Sequence, residues 1–231
     1  MKNLAEIYIL QGDLPGVREL REHVWLNVGS ESEAWSRKGE RAKENIAGIL
    51  LLQKALKESK IWNKNDSYYL RRTPEGRPFL SGSQADFNIS HTEGIVVCAL
   101  ECEGSLPRVG VDAERLRGGM TDRIRRVAER WFTEGEREQL RLVESEETFL
   151  RIWTGKEALV KYTGEGISGL KKADTSGISP ERGLCLTSYT LPNAILSICS
   201  LSELPGRTHH LHYLTPRELL PDVTVPAEPS V

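Results

Sequence analysis

Long apolar runs are missing from this 231-residue chain. The longest, residues 95–100, has six members, far short of the about 20 that a membrane helix needs, so no membrane-spanning helix is expected. The opening residues MKNLAEIYIL reach Glu6 before an apolar stretch develops and do not read as a secretory signal. Cysteine is scarce: Cys98, Cys102, Cys185 and Cys199 show neither C-x-x-C nor another zinc spacing, and four in this length make no disulfide framework. They read as free thiols of a cytoplasmic protein. Neither sign of charge is in excess. The 31 Lys plus Arg oppose 33 Asp plus Glu, split 14 to 15 over residues 1–105 and 17 to 18 over 106–231. A general nucleic-acid binder or a charged tail is thereby excluded. What remains, 28% charged and 39% hydrophobic residues, is the make-up of a folded globular chain with material for one large or two small domains.

Periodicity gives a coarse order of elements. Residues 4–10 read as a first strand, and 32–58 as a helix with Ile46, Ile49, Leu50 and Leu56 at helical spacing. YYLRR (68–72) precedes a turn at Thr73-Pro74-Glu75-Gly76-Arg77-Pro78. Residues 86–89 and 95–100 form a hairpin whose polar joint, Ser90-His91-Thr92-Glu93-Gly94, places Ser90 and His91 at its exposed end. Residues 103–108 read as a linker and 109–114 as a strand. Helices follow at 121–131 and 134–143, with Thr133 and Glu136 fitting a capping box. A strong helix at 146–162 ends at Gly164 and Gly166, strands follow at 183–191, 194–201 and 210–214, and the last residues carry Pro216, Pro221, Pro226 and Pro229. Helices group beside antiparallel strands, which makes the class α+β.

Three features carry chemistry. In extended Asp112-Ala113-Glu114 the two carboxylates point to one side. The same pattern describes either two solvated carboxylates or two hard oxygen ligands suited to magnesium or manganese. In the helix at 146–162, about 100° per residue gathers Phe149, Ile152, Trp153, Leu159 and Val160 into one apolar arc, and Lys156 falls inside it. Its stem either snorkels to the edge or its ammonium meets an anion. Trp153, Glu157 and Lys161, at i, i+4 and i+8, line one edge of that face, as a surface Glu–Lys pair or as part of a site. Gly164-x-Gly166-x-x-Gly169 follows a helix and so is no dinucleotide fingerprint. Gly155-Lys156 lacks the rest of a P-loop. His209, His210 and His212 either bind a transition metal or, with no acidic or Cys companion, form an exposed strand edge, the reading preferred here. The Arg123, Arg125, Arg126, Arg130 run reads as a solvated helix face or a surface for an acidic partner.

Together the motifs resemble a family. Gly110-Val111-Asp112-Ala113-Glu114, then Trp131-Phe132-Thr133 with Glu136, then Trp153-x-x-Lys156-Glu157-Ala158-x-x-Lys161-x-x-Gly164-x-Gly166 resembles the signature of the 4′-phosphopantetheinyl transferases. Gly76-Arg77-Pro78 and Asn88-Ile89-Ser90-His91 resemble further motifs of the longer, surfactin-synthetase type. The resemblance implies a pseudo-dimer of two similar α+β lobes with coenzyme A in the cleft between them: an N-terminal lobe at 1–105, a C-terminal lobe at 106–214, and a Pro-rich tail at 215–231. It implies transfer of phosphopantetheine from coenzyme A to a serine of an apo acyl or peptidyl carrier protein, by a cytoplasmic monomer that needs no nucleic acid or membrane. Asp112, Glu114 and Glu157 would hold Mg²⁺, with Mn²⁺ an alternative. Glu157 would act as general base, and Lys161 would neutralise or protonate the departing phosphate. Arg77, Ser90, His91, Lys156 and Lys161 would contact coenzyme A, with Lys156 gaining a phosphate as its anion.

Three departures qualify the match. Ala113 stands where many relatives carry a larger aliphatic residue, a difference of packing. Arg37, Lys38, Arg41 and Lys43 are candidates for the family's basic residues in the first helical region, with no motif to choose among them. Glu136 matches a family glutamate, but a cap explains it without catalysis. The alternatives are another magnesium-dependent phosphotransferase and a non-catalytic carrier-protein binder.

Overall fold

The computed structural model describes residues 5–28, 38–62, 68–102, 108–179, 183–201 and 209–220. The first unit opens with β1 (Glu6–Gln11), the short α1 (Val17–Glu22), β2 (Asn27–Val28) and the long α2 (Glu40–Glu58). It continues through β3 (Tyr69–Arg72), β4 (Pro78–Ser81), β5 (Asp86–Thr92) and β6 (Ile95–Glu101). The second unit holds β7 (Val109–Arg115), α3 (Asp122–Trp131), α4 (Glu134–Leu142), α5 (Glu146–Thr163), a 3₁₀ turn at Ile167–Lys171, β8 (Leu184–Leu191) and β9 (Ala194–Leu201). The described chain ends with β10 (His210–Leu214) and the one-turn α6 (Pro216–Leu219). Among the described residues, no helix is long and apolar enough to cross a membrane. The class is α+β, as the sequence predicts.

The two units repeat one order of elements. A strand, a long helix and a hairpin give the order β1-β6-β5 in the first sheet and β7-β9-β8 in the second, with the hairpin's second strand central in each. Ile7, Ile9, Ile95, Val97 and Ala99 of the first sheet share one core with Val109, Val111, Ala113, Leu196 and Ile198 of the second. The intervening Tyr8, Leu10, Val96, Cys98 and Leu100 turn the other way and pack with α2. Residues 95–100 are apolar throughout because both faces of β6 are covered. Ala113 sits in the shared core, 1% exposed, which fits a packing role.

The junction of the units is made by β5 and β7. Among the described residues, strand β7 is hydrogen-bonded only to β9 within its sheet, and buried amides without partners are costly. Side chains at every second position of β5 supply acceptors: Val109 N donates to Asp86 Oδ2 (2.9 Å), Val111 N to Asn88 Oδ1 (3.1 Å) and Ala113 N to Ser90 Oγ (3.3 Å). The polar residues of the hairpin motif thus lie on the seam. This corrects the expectation of an exposed Ser90. The hairpin turns at Glu93 and Gly94, both at positive φ, while Ser90 lies inside β5, 5% exposed.

Other boundaries also differ from the sequence reading. Residues 210–214, expected in the C-terminal lobe, pair in parallel with β1, with Glu6 opposite His210 and Tyr8 opposite His212. The tail expected from residue 215 begins as a capped helical turn, Thr215 serving as cap with Glu218, and Leu219 and Leu220 enter the core beside α2. Its remainder, residues 221–231, lies outside the described residues, as do 103–107 of the expected linker. The helix expected at 32–58 runs from Glu40 to Glu58, and 29–37 lie outside the described residues. His209, read as exposed, is buried and meets Ser200 and Tyr189.

Candidate active site

Helix α5 is built to hold its position. Ser145 caps it by accepting from Thr148 N (3.0 Å), Glu146 and Glu147 occupy the first turn, and Gly164 closes it in the left-handed region at φ 82°. It lies directly on β7 at Gly110. A Cβ there would stand 2.1 Å from Ala158 O and 2.5 Å from Tyr162 N, so only glycine admits this approach. The contact sets Glu157 and Lys161 over the β7 face that carries Asp112 and Glu114. Beyond β7, the buried Glu146 accepts the amides of Arg117, Gly118 and Gly119, each at 2.8 Å, which fastens the end of that strand to the helix start.

Asp112 is 6% exposed. Its Oδ1 accepts from Lys161 Nζ (2.6 Å) and Ser90 Oγ (2.8 Å). Lys161 also donates to Val111 O (3.1 Å) and Ser90 Oγ (3.2 Å). Among the described residues, Asp112 Oδ2 is buried with no hydrogen-bond partner. Burial, followed by the charge of Asp112, raises the Glu114 carboxyl above the usual range, and Thr92 Oγ1 donates to it weakly (3.4 Å). Burial likewise pushes Glu157 up to about 7, with Asp112 and Glu114 adding repulsion and Lys161 opposing it. These three carboxylates repel one another, and such oxygen donors could hold a hard divalent cation.

This cluster borders a cleft of about 920 Å³, whose lining includes Arg71, Arg72, Arg77, His91, Glu157 and Lys161. The volume is that of a small-molecule or cofactor site, and its positive side chains suit phosphates. Arg77 lies in the wall but is heavily engaged. It pairs with Asp86 and donates to Val109 O (3.0 Å) and Lys161 O (3.2 Å), tying the units together. His91 is held by Asn45 Oδ1 (3.2 Å) and Glu44 Oε2 (3.1 Å). Ser90 faces the Asp112–Lys161 cluster and is not among the lining residues. Lys38, Arg41 and Lys43 do not line the cleft either, and Lys43 pairs with Glu40 (2.7 Å); Arg37 lies outside the described residues. The cations that sequence reasoning missed, Arg71 and Arg72, come from the short β3. Two consecutive arginines on a predicted strand beside the Gly76-Arg77-Pro78 turn were the available signal.

Lys156 requires a correction. Its ammonium is 0% exposed and bonds Glu136 Oε2 (2.7 Å) and Ala173 O. Its anion is therefore Glu136, and it has no path to a bound phosphate. Glu136 forms the expected capping box with Thr133. It also accepts from Thr175 N (2.9 Å) and Thr175 Oγ1 (2.8 Å). One carboxylate thus joins α4, α5 and the segment after the 3₁₀ turn.

Comparison with known proteins agrees with the geometry. Residues 108–201 match the model of the 4′-phosphopantetheinyl transferase superfamily. The 4′-phosphopantetheinyl transferase HetI of Nostoc sp. is 35% identical over 106 residues, 43% of this chain and 43% of that protein. The L-aminoadipate-semialdehyde dehydrogenase-phosphopantetheinyl transferase of Xenopus laevis is 32% identical over 139 residues, 54% of this chain and 45% of its own length. The 4′-phosphopantetheinyl transferase Sfp of Bacillus subtilis is 26% identical over 171 residues, 71% of this chain and 72% of its own. The chain thus spans a little under half the length of the first two and most of the third. The segment that matches the superfamily model contains Asp112, Glu114, Glu157 and Lys161 in the arrangement described above, and over that segment the chain is similar to the 4′-phosphopantetheinyl transferases.

Proposed function

We propose that this protein transfers the 4′-phosphopantetheine arm of coenzyme A to a serine hydroxyl of an apo acyl or peptidyl carrier protein. The product besides the loaded carrier is adenosine 3′,5′-bisphosphate. The observation that carries the reading is the meeting of Asp112, Glu114, Glu157 and Lys161 beside a cleft with several cationic lining residues. The orphaned Asp112 Oδ2 supports a metal role. Asp112, Glu114 and Glu157 would hold Mg²⁺, whose chemistry is to neutralise pyrophosphate oxygens.

The serine oxygen forms a bond to the phosphorus that carries pantetheine, and the bond from that phosphorus to the oxygen of the nucleotide 5′-phosphate breaks. The serine is a weak acid, so its proton needs an acceptor. Glu157, whose carboxyl is held above the ordinary range by burial and by Asp112, is the candidate acceptor. Lys161, anchored by Asp112 and the Val111 carbonyl, offers positive charge to the departing phosphate. Arg71, Arg72 and His91, which also line the cleft, bind and orient the anionic nucleotide. Arg123, Arg126 and Arg130, exposed on α3, with Arg125 already paired to Glu144, form a docking face for an acidic carrier protein. The protein acts as a monomer, since residues of one chain line the cleft, and its free cysteines fit a cytoplasmic location.

The test is chromatographic detection of adenosine 3′,5′-bisphosphate from coenzyme A, Mg²⁺ and an apo carrier protein. Carrier-dependent release is expected. Release without a carrier, or turnover of another phosphate ester only, would favour a different phosphotransferase.

A further inference from the structure

The histidines near the end of the chain acquire a companion that their local sequence lacks. The parallel pairing of β10 with β1 sets Glu6 opposite His210 and Tyr8 opposite His212. Glu6 Oε2 lies 2.6 Å from His212 Nε2 and 3.1 Å from His210 Nδ1. The two imidazoles are 4.3 Å apart between centroids. The His212 ring is also stacked on Tyr8, at 4.4 Å and 8°, which fixes its orientation. The three donor atoms all lie within 4.8 Å of one another.

We infer that Glu6, His210 and His212 form a binding site for a borderline divalent transition metal of the Zn²⁺ class, separate from the carboxylate cluster of the cleft. Two imidazole nitrogens and one carboxylate oxygen are the donors such ions prefer, whereas hard Mg²⁺ favours oxygen alone. Hydrogen bonding alone sets both imidazoles against the same oxygen, Oε2; a divalent cation engages all three donors. Metal–ligand bonds of about 2.0–2.2 Å in a tetrahedral site place donors roughly 3.4 Å apart. The present spacing approaches that value, and His210, 56% exposed, has room to rotate. Solvent reaches the cluster, since Glu6 and His212 are 24% and 27% exposed, and water can complete the coordination. The site lies on the far edge of the first sheet: β10 is at one end of the order β10-β1-β6-β5, and the catalytic seam is at the other. The metal would clip the edge strand β10 onto β1 and stabilise the fold.

The test uses the full chain without a histidine tag, stripped with EDTA and titrated with Zn²⁺ in excess Mg²⁺ by equilibrium dialysis with metal analysis. One equivalent is expected, with a raised melting temperature. His210→Ala and Glu6→Gln should each weaken binding about tenfold or more and abolish the thermal shift. Glu157→Gln should leave Zn²⁺ binding unchanged. His210 is the better first position because His212 also packs on Tyr8, and circular dichroism of each variant checks folding. No stoichiometric Zn²⁺, unchanged affinity in His210→Ala and Glu6→Gln, or loss in Glu157→Gln instead would overturn the assignment.

Discussion

Lys161 Nζ and Asp112 Oδ1 are 2.6 Å apart, and Ser90 Oγ donates to the same oxygen at 2.8 Å. One oxygen of the carboxylate is therefore doubly engaged, while its partner Oδ2 is buried without a hydrogen bond. The engaged oxygen fixes the side chain, and the other is the one proposed to meet Mg²⁺. Asp112→Asn keeps the shape but removes the charge. It should lower transfer by about 100-fold or more, in line with loss of a preorganised electrostatic contact. It should also weaken the Mg²⁺ dependence of the rate. Steady-state kinetics across Mg²⁺ concentrations reads both effects; wild-type kinetics would separate Asp112 from the chemistry.

Lys156 should behave as a residue of the core. Lys156→Met leaves the Glu136 carboxylate buried without its cation and should cost about 3–5 kcal/mol of stability. The KM for coenzyme A should be unchanged where the variant is folded. Urea denaturation and kinetics test the two halves. A raised KM with intact stability would return Lys156 to the binding site.

The carboxylate cluster also sets a pH dependence. The Glu157 carboxyl has a folded value of about 7 against an ordinary 4.5. Between these values the native protein binds more protons than the unfolded chain, so this contribution to stability falls as pH rises. His209, lowered by burial from 6.5 to about 4, acts with the opposite slope over its own window. Comparing wild type with Glu157→Gln cancels the histidine. In EDTA, the variant's advantage in melting temperature should grow from about pH 5 to about pH 8, and Mg²⁺ should stabilise the wild type most at the upper end. A pH-independent difference would contradict the raised value.

Gly110→Ala tests the approach of α5 to β7. The added methyl meets backbone at 2.1 Å, and no side-chain rotation relieves it. The helix must shift, at a cost of about 1–3 kcal/mol, and Glu157 and Lys161 move with it. Reduced kcat beside lowered stability is expected. Full activity would show that the helix position is not limiting.

The sequence was most readable where interactions are local. The end of α5 at Gly164, the Thr133–Glu136 capping box and the closeness of Asp112 and Glu114 depend on neighbours a few residues away, and all of them are present in the fold. Spacing also brought Glu157 and Lys161 to one helix edge. Partners brought by topology were not readable. The anion of Lys156 lies 20 residues upstream on α4, and the acidic companion of His212 is 206 residues away on β1. Ser90 looked like a turn residue because polar side chains in a strand resemble a loop, when in fact they accept the amides of β7. Arg71 and Arg72 became candidates only when β3 was seen to line the cleft.

The most direct measurement is intact-mass analysis of an apo carrier protein incubated with this protein, coenzyme A and Mg²⁺, beside reactions containing EDTA or Glu157→Gln. The account predicts a mass gain of one phosphopantetheine on the carrier serine, lost with EDTA and in the variant. An unmodified carrier across several carrier classes, with coenzyme A bound in the cleft, would contradict the proposed transfer. Full modification by Glu157→Gln would contradict the role given to its carboxylate.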